Sequence, residues 1–172
     1  MKASIVLTVV CDDRPGIVEA LSEALTGHEG NWVESSMMSL AGKFAGILLV
    51  ELPEKQAEPF LESLANLEEQ GMQIVAQRSG NEAVTEADQE YALELVGQDH
   101  PGIIHDITQV LARHGINVQE LETTVQSASM SGESLFIAHA QIFVPSAVPL
   151  EMLQAEMEAL ANELMVDIKL ED

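Results

Sequence analysis

Basic side chains are scarce in this sequence: seven Lys and Arg stand against 29 Asp and Glu, a formal net charge of −22. Such a chain repels phosphate backbones instead of displacing their counterions, which argues against direct binding to nucleic acid. It has no polybasic segment, so it also lacks the attraction that holds proteins to anionic bilayers. Long apolar runs are missing too. The longest, Ile5 to Cys11 and Ala45 to Val50, are far too short for membrane-spanning helices and read as buried strands. The N-terminus carries one Lys2 and passes directly into a strand pattern. It shows no secretory h-region or small-residue cleavage site, so a cytoplasmic location is expected. The single cysteine, Cys11, cannot form an internal disulfide, in keeping with a reducing compartment.

Hydrophobic residues make up 47% of the 172 positions, enough for packed cores. Those cores are expected to be two, because the sequence repeats. Asp13-Arg14-Pro15-Gly16-Ile17 lies over Asp99-His100-Pro101-Gly102-Ile103 at an offset of 86, and the same offset pairs His28 with His114, Asn31 with Asn117 and Glu34 with Glu120. From Ile5 to Glu34, ten of thirty positions are identical, where roughly two would match by chance. Further on, Phe44 matches Phe136 and Pro53 matches Pro145, so the offset has grown to 92. The second copy therefore carries six extra residues, placed around Ser127 to Gly132, a small polar stretch suited to a hairpin tip. The expected organisation is a first domain over 1–79, a linker over 80–89 and a second domain over 90–172.

Each copy predicts the same order of elements. Ile5 to Val10 and Tyr91 to Val96 read as central strands, followed by helices carrying Ile17, Leu21 and Leu25, and Ile103, Ile107 and Leu111. Asn31 to Leu40 with Phe44 to Leu52, and Asn117 to Gln126 with Leu135 to Val144, read as hairpins. Second amphipathic helices hold Phe60, Leu64 and Leu67, and Leu153, Met157 and Leu160; short strands close each copy. The fold class is α+β: two tandem ferredoxin-like βαββαβ domains, each an antiparallel sheet with helices on one face. Whether the copies associate edge to edge or face to face is open, and so is assembly into a homo-oligomer.

The strand-to-helix junctions carry the chemistry. Pro is favoured in a first helical turn, Gly lets a ligand approach the backbone, and free N–H groups at a helix start bind carboxylates. Asp13 and Asp99 can cap the turn or receive an α-ammonium, while Asn31 and Asn117 offer amides from the next strand. Together these groups fit a zwitterion, although Asp, Pro and Gly before a helix are equally ordinary capping chemistry. Elsewhere, His100 and His105 stand on different helix faces, no cluster has zinc spacing, and no metal site is expected. His28 and His114 read as helix-end or core-edge residues. Cys11 aligns with Gly97 and has no nearby base, and the phosphate loop with Arg that phosphatases of this fold need is missing, so no enzyme activity is expected.

The paired Asp-x-Pro-Gly-Ile motifs, each followed by an Asn at the head of strand two, resemble the ACT domain. Their tandem arrangement is similar to the glycine cleavage system transcriptional repressor family. That resemblance implies ligand binding at ACT–ACT interfaces near the Gly of these loops, through Asp13, Arg14, Pro15, Gly16, Ile17 and Asn31 and through Asp99, His100, Pro101, Gly102, Ile103 and Asn117. It further implies an amino acid, with glycine first, as effector in place of any resident cofactor. Regulation would run through a DNA-binding activator protein. The alternative is a regulatory subunit that confers amino-acid feedback on a metabolic enzyme. Because Arg14 is replaced by His100, the two sites need not be equivalent.

Overall fold

The computed structural model describes residues 1–80, 88–128 and 130–172, and the chain divides into two compact units between Ala83 and Val84. In the first, β1 (Lys2–Asp12), α1 (Ile17–Thr26), β2 (Asn31–Leu40), β3 (Lys43–Pro53), α2 (Glu54–Glu69) and β4 (Gln73–Arg78) follow in order. The second repeats the order as β5 (Asp88–Gln98), α3 (Ile103–Arg113), β6 (Asn117–Ser127), β7 (Ser134–Pro145), α4 (Leu150–Leu164) and β8 (Val166–Glu171). The sheets run β2-β3-β1-β4 and β6-β7-β5-β8, and every pairing is antiparallel. This is the ferredoxin-like arrangement, twice.

Alternation along β1 explains the layering. Ala3, Ile5, Leu7, Val9 and Cys11 are buried, while the residues between them face the other side of the sheet. Ile17, Leu21 and Leu25 on α1 and Phe60, Leu64 and Leu67 on α2 cover that buried face. Leu93 and Leu95 on β5 meet Ile103, Ile107 and Leu111 on α3 and Leu153 and Met157 on α4 in the second core. Among the described residues, no polar or charged side chain is buried in either core.

The repeat extends to irregularities. The β2–β3 ladder shifts register between Trp32 and Glu34, and the β6–β7 ladder shifts between Val118 and Glu120. A bulge adds one unpaired residue, and here it falls at matched positions in the two copies. His28 and His114, although matched in sequence, do different work. The His28 ring packs edge-on against Phe60 with centroids 5.8 Å apart, whereas His114 Nε2 lies 2.8 Å from Glu156 on α4.

Most of the expected linker, 81–87, lies outside the described residues, and Asp88 and Gln89 belong to β5. Of the stretch expected at the hairpin tip, Ser129 lies outside them as well. Ala128 N–H donates to the Glu133 carbonyl at 2.8 Å, closing the turn between β6 and β7. Among the described residues, no helix is long and apolar enough to cross a membrane.

Candidate functional site

Both motif turns leave the end of a central strand and enter a helix through a left-handed glycine. Gly16 has φ 93° and ψ 2°, Gly102 φ 94° and ψ −3°, and each is the N-cap of its helix. A side chain is strained at such angles, so the backbone alone demands glycine here. The helices begin at Ile17 and Ile103, which puts Pro15 and Pro101 before the cap. They fix the turn instead of occupying the first helical turn as expected, because the left-handed glycine intervenes.

The capping alternative for the acids is not realised. Neither helix start has a side-chain cap, and the first helical bonds run from Ala20 N–H to Gly16 O and from Asp106 N–H to Gly102 O, each 3.0 Å. The amides of the first turn are therefore left for solvent or an anion, with the helix dipole favouring negative charge. A Cβ built on Gly16 or Gly102 would meet nothing within 4 Å. Open space stands in front of both turns.

Asp13 instead ties its loop to the neighbouring hairpin. Its N–H donates to Gly42 O at 3.0 Å, and its carboxylate accepts from Ser39 Oγ at 2.6 Å. Asp99 N–H makes the matching bond to Ser134 O at 2.8 Å. The hydroxyl has no counterpart, because Val125 takes the place opposite Phe136 that Ser39 takes opposite Phe44.

Arg14 and His100, chemically unlike, perform one task. The Arg14 guanidinium donates to Gln70 O at the C-cap of α2. The His100 Nε2 lies 3.2 Å from Leu164 O at the end of α4. Either side chain fastens the motif turn to the carbonyl end of the second helix, where a donor complements the dipole. Ile17 and Ile103, 3% and 2% exposed, spend their side chains in the two cores. Only their backbone amides are available to a ligand.

Asn31 and Asn117 do not join these groups within a unit. Asn31 opposes Glu51, whereas Asp12 and the turn stand at Lys43, eight residues away along β3; that is roughly 26 Å in a strand. Asn117 opposes Phe143 and is as far from its turn, which leaves β5 opposite Leu135. The acid, turn and amide expected in one cradle thus sit at opposite ends of each sheet. An antiparallel connection from the turn through a helix returns the chain to the far end, which motif spacing does not convey.

Sequence reasoning missed Asp12 and Lys43. They oppose each other beside the first turn and form a hydrogen-bonded ion pair. The hydrogen bond and charge of Lys43 lower the Asp12 pKa, and Asp12 raises that of Lys43 by the same two effects. With Val10, Cys11, Gly71 and Gln73 they line a depression of about 440 Å³. The signal was the tight β2–β3 turn at Gly42, which sets Lys43 opposite Asp12. In the second unit Gln98 and Leu135 hold this pairing, and no ion pair forms there. Among the described residues, no three His, Cys, Asp or Glu are placed to hold a metal ion.

With that geometry in place, comparison with known proteins is direct. The ACT domain family matches residues 3–77 and again residues 91–148. No curated protein matches the sequence. Among solved structures, an unknown protein from Galdieria sulphuraria is 35% identical, with 99% of this chain and 98% of that one covered and a TM-score of 0.85. A candidate glycine cleavage system transcriptional repressor is 23% identical over 99% of this chain and 96% of that one, with a TM-score of 0.71. The family is matched once in each of the two units: the protein belongs to the ACT-domain proteins, with two ACT domains in tandem.

Proposed function

We propose that this chain is a non-enzymatic, amino-acid-responsive regulator of transcription, of the glycine cleavage repressor type, which acts through a DNA-binding activator protein. One observation carries the ligand reading: two helix starts, each behind a left-handed glycine with open space before it and no side-chain cap. Backbone amides there suit the carboxylate that every free amino acid carries. Asp13 and Asp99, at the same turns, offer carboxylates for an α-ammonium. Arg14 and His100 act as braces that hold the turn in shape, and Asn31 and Asn117 fall outside the pocket that a single unit can form. The whole-chain likeness to a candidate glycine cleavage repressor supports the regulatory role, with glycine as the first effector to try. A charge of −22 supports indirect action, since the chain has little to offer a phosphate backbone.

A thermal-shift screen of free amino acids, glycine first, tests the ligand. At about a hundred times its dissociation constant a ligand stabilises the native state by roughly 2.7 kcal/mol, enough to raise a melting temperature by several degrees. Absence of any shift at millimolar concentration removes the ligand from this reading. A pull-down from lysate with mass spectrometry tests the partner: a DNA-binding protein supports it, and a biosynthetic enzyme replaces it with feedback control of metabolism.

A further inference from the structure

We infer that His100 is a pH-sensitive positioning residue: on gaining a second ring proton it fixes the peptide that carries the Gly102 N–H, and so readies the second turn for a carboxylate. The carboxylate half of this inference rests on the function proposed above. His28, His105, His114 and His139 each engage a partner through one ring nitrogen. Among the described residues, His100 alone sets both ring nitrogens on backbone carbonyls: Nδ1 lies 3.2 Å from Pro101 O and Nε2 3.2 Å from Leu164 O. A neutral imidazole has one N–H and one lone pair. In either tautomer one nitrogen therefore turns its lone pair on a carbonyl oxygen. Only the imidazolium donates to both, and it does so through charge-assisted bonds.

The Pro101 contact reaches the site through the peptide bond. Among the described residues every peptide is trans, so the Pro101 carbonyl and the Gly102 N–H share one plane and point in opposite directions. Holding that carbonyl to the ring fixes the direction of the N–H, one of the backbone amides at the start of α3. Glycine on the far side offers little resistance to rotation of this plane, which is why a clamp matters. Loss of the second proton sets the two contacts against each other. The Nε2–H tautomer keeps the tie to α4 and repels the Pro101 carbonyl; the Nδ1–H tautomer keeps the peptide and releases α4. The first turn faces no such choice. Arg14 donates to the helix end at Gln70 O, and a guanidinium keeps its charge at any working pH. The exchange of Arg for His between the copies thus makes one brace titratable between about pH 5 and 8.

Charge around the ring comes from every neighbouring element. The loop brings Asp99, the first turn of α3 His105 and Asp106, the end of α4 Glu163, the start of β8 Asp167 and the β6–β7 hairpin Glu133. All but His105 are carboxylates, a class that titrates below this range. His105 belongs to the class that titrates within it; its Nδ1 lies 3.2 Å from Asp106 Oδ1 and its side chain is 75% exposed. A test must therefore separate His100 from His105.

The experiment is ¹⁵N NMR of the full chain, with ring and amide signals followed together from about pH 5 to 8. Without ligand, the Gly102 amide is expected to shift in step with the His100 ring, and the Gly16 amide to stay in place. His100→Gln supplies a neutral donor and leaves His105 untouched, so it should abolish the Gly102 response. His100→Arg, which copies the first unit's brace, should abolish it as well, and the amide spectrum reports that each variant folds. With glycine as the probe, affinity read at the amides of residues 102–105 should fall roughly fivefold across the same range as pH rises. It should stay level at residues 16–19, and at both turns in His100→Arg. The proposal is overturned by a Gly102 amide indifferent to the His100 titration, by a response that survives His100→Gln in a folded chain, or by a glycine affinity at the second turn that ignores pH. Glycine binding at neither turn at any pH defeats the carboxylate reading instead, and the unliganded titration still decides whether His100 sets the Gly102 peptide.

Discussion

The two ACT domains share a backbone and differ in what they show to water. In both, the amide of the motif's Asp donates to the hairpin, at Gly42 and at Ser134, and in both the second motif residue reaches the end of the second helix. Beyond that frame the copies part. The first has the Asp12–Lys43 pair and the Ser39 tie to Asp13; the second has Gln98 and Leu135 in place of the pair and Val125 in place of Ser39. Turn geometry tolerates little variation because it depends on positive φ at one residue, whereas an exposed position can change freely once its strand is paired. Binding capacity is thus expected of both turns, and surface contacts are expected to differ.

The largest effects should leave the comparison even. Phe60 and Leu153 hold matching places in the two cores, 1% and 0% exposed. Phe60→Ala should cost about 3–5 kcal/mol and Leu153→Ala about 2–5 kcal/mol in urea unfolding. A loss below about 1 kcal/mol at either position would break the equality of the cores.

Next come the glycines. Gly16→Ala and Gly102→Ala should each cost about 1–2 kcal/mol, because an L residue is strained at φ near 93° and 94°. Their Cβ atoms meet no neighbour, so the two costs should agree within several tenths of a kcal/mol. A marked difference would mean that the turns are less alike than their angles.

Smaller effects should separate the copies. Ser39→Ala removes one exposed hydrogen bond to Asp13 and should cost about 0.5–1 kcal/mol, with faster hydrogen exchange at the Asp13 amide. Val125→Ala, at the matching place, should leave the Asp99 amide unchanged. Smallest is the pH effect of the exposed Asp12–Lys43 pair. The Asp12 pKa is lowered on folding, so its contribution is present above the usual carboxylate value and fades as pH falls through the folded value. The Lys43 pKa is raised, so its contribution holds below the usual lysine value and fades as pH climbs through the folded one. Melting curves of wild type and Lys43→Met should differ only between these limits, and slightly. A difference that persisted in strong acid would assign Lys43 another partner.

Much of the fold was legible because the pattern was stated twice. Periodicity found the twelve elements and the offsets of 86 and 92 aligned them; β1, β3, β5 and β7 run one to three residues past the apolar runs at each end, since pairing continues where burial stops, while β2 covers Asn31–Leu40 as expected. The site was legible in part. Asp-x-Pro-Gly marked the turns, but the left-handed angle of Gly16 placed Pro15 outside the helix. Arg14 and His100 read as a difference between sites, yet both brace the turn, a role visible only once α2 and α4 are in position. Asn31 was grouped with Asp13 by order along the chain, while the sheet sets them at opposite ends.

The most direct test of the central claim, that both motif turns hold the carboxylate of a free amino acid, is a ¹⁵N-resolved NMR titration of the full chain with glycine and then the other amino acids. The amides of residues 16–19 and 102–105 are expected to shift first and saturably, with Gly16→Ala abolishing only the first set and Gly102→Ala only the second. No movement of these amides at millimolar ligand, or saturable shifts confined to other surfaces, would contradict it.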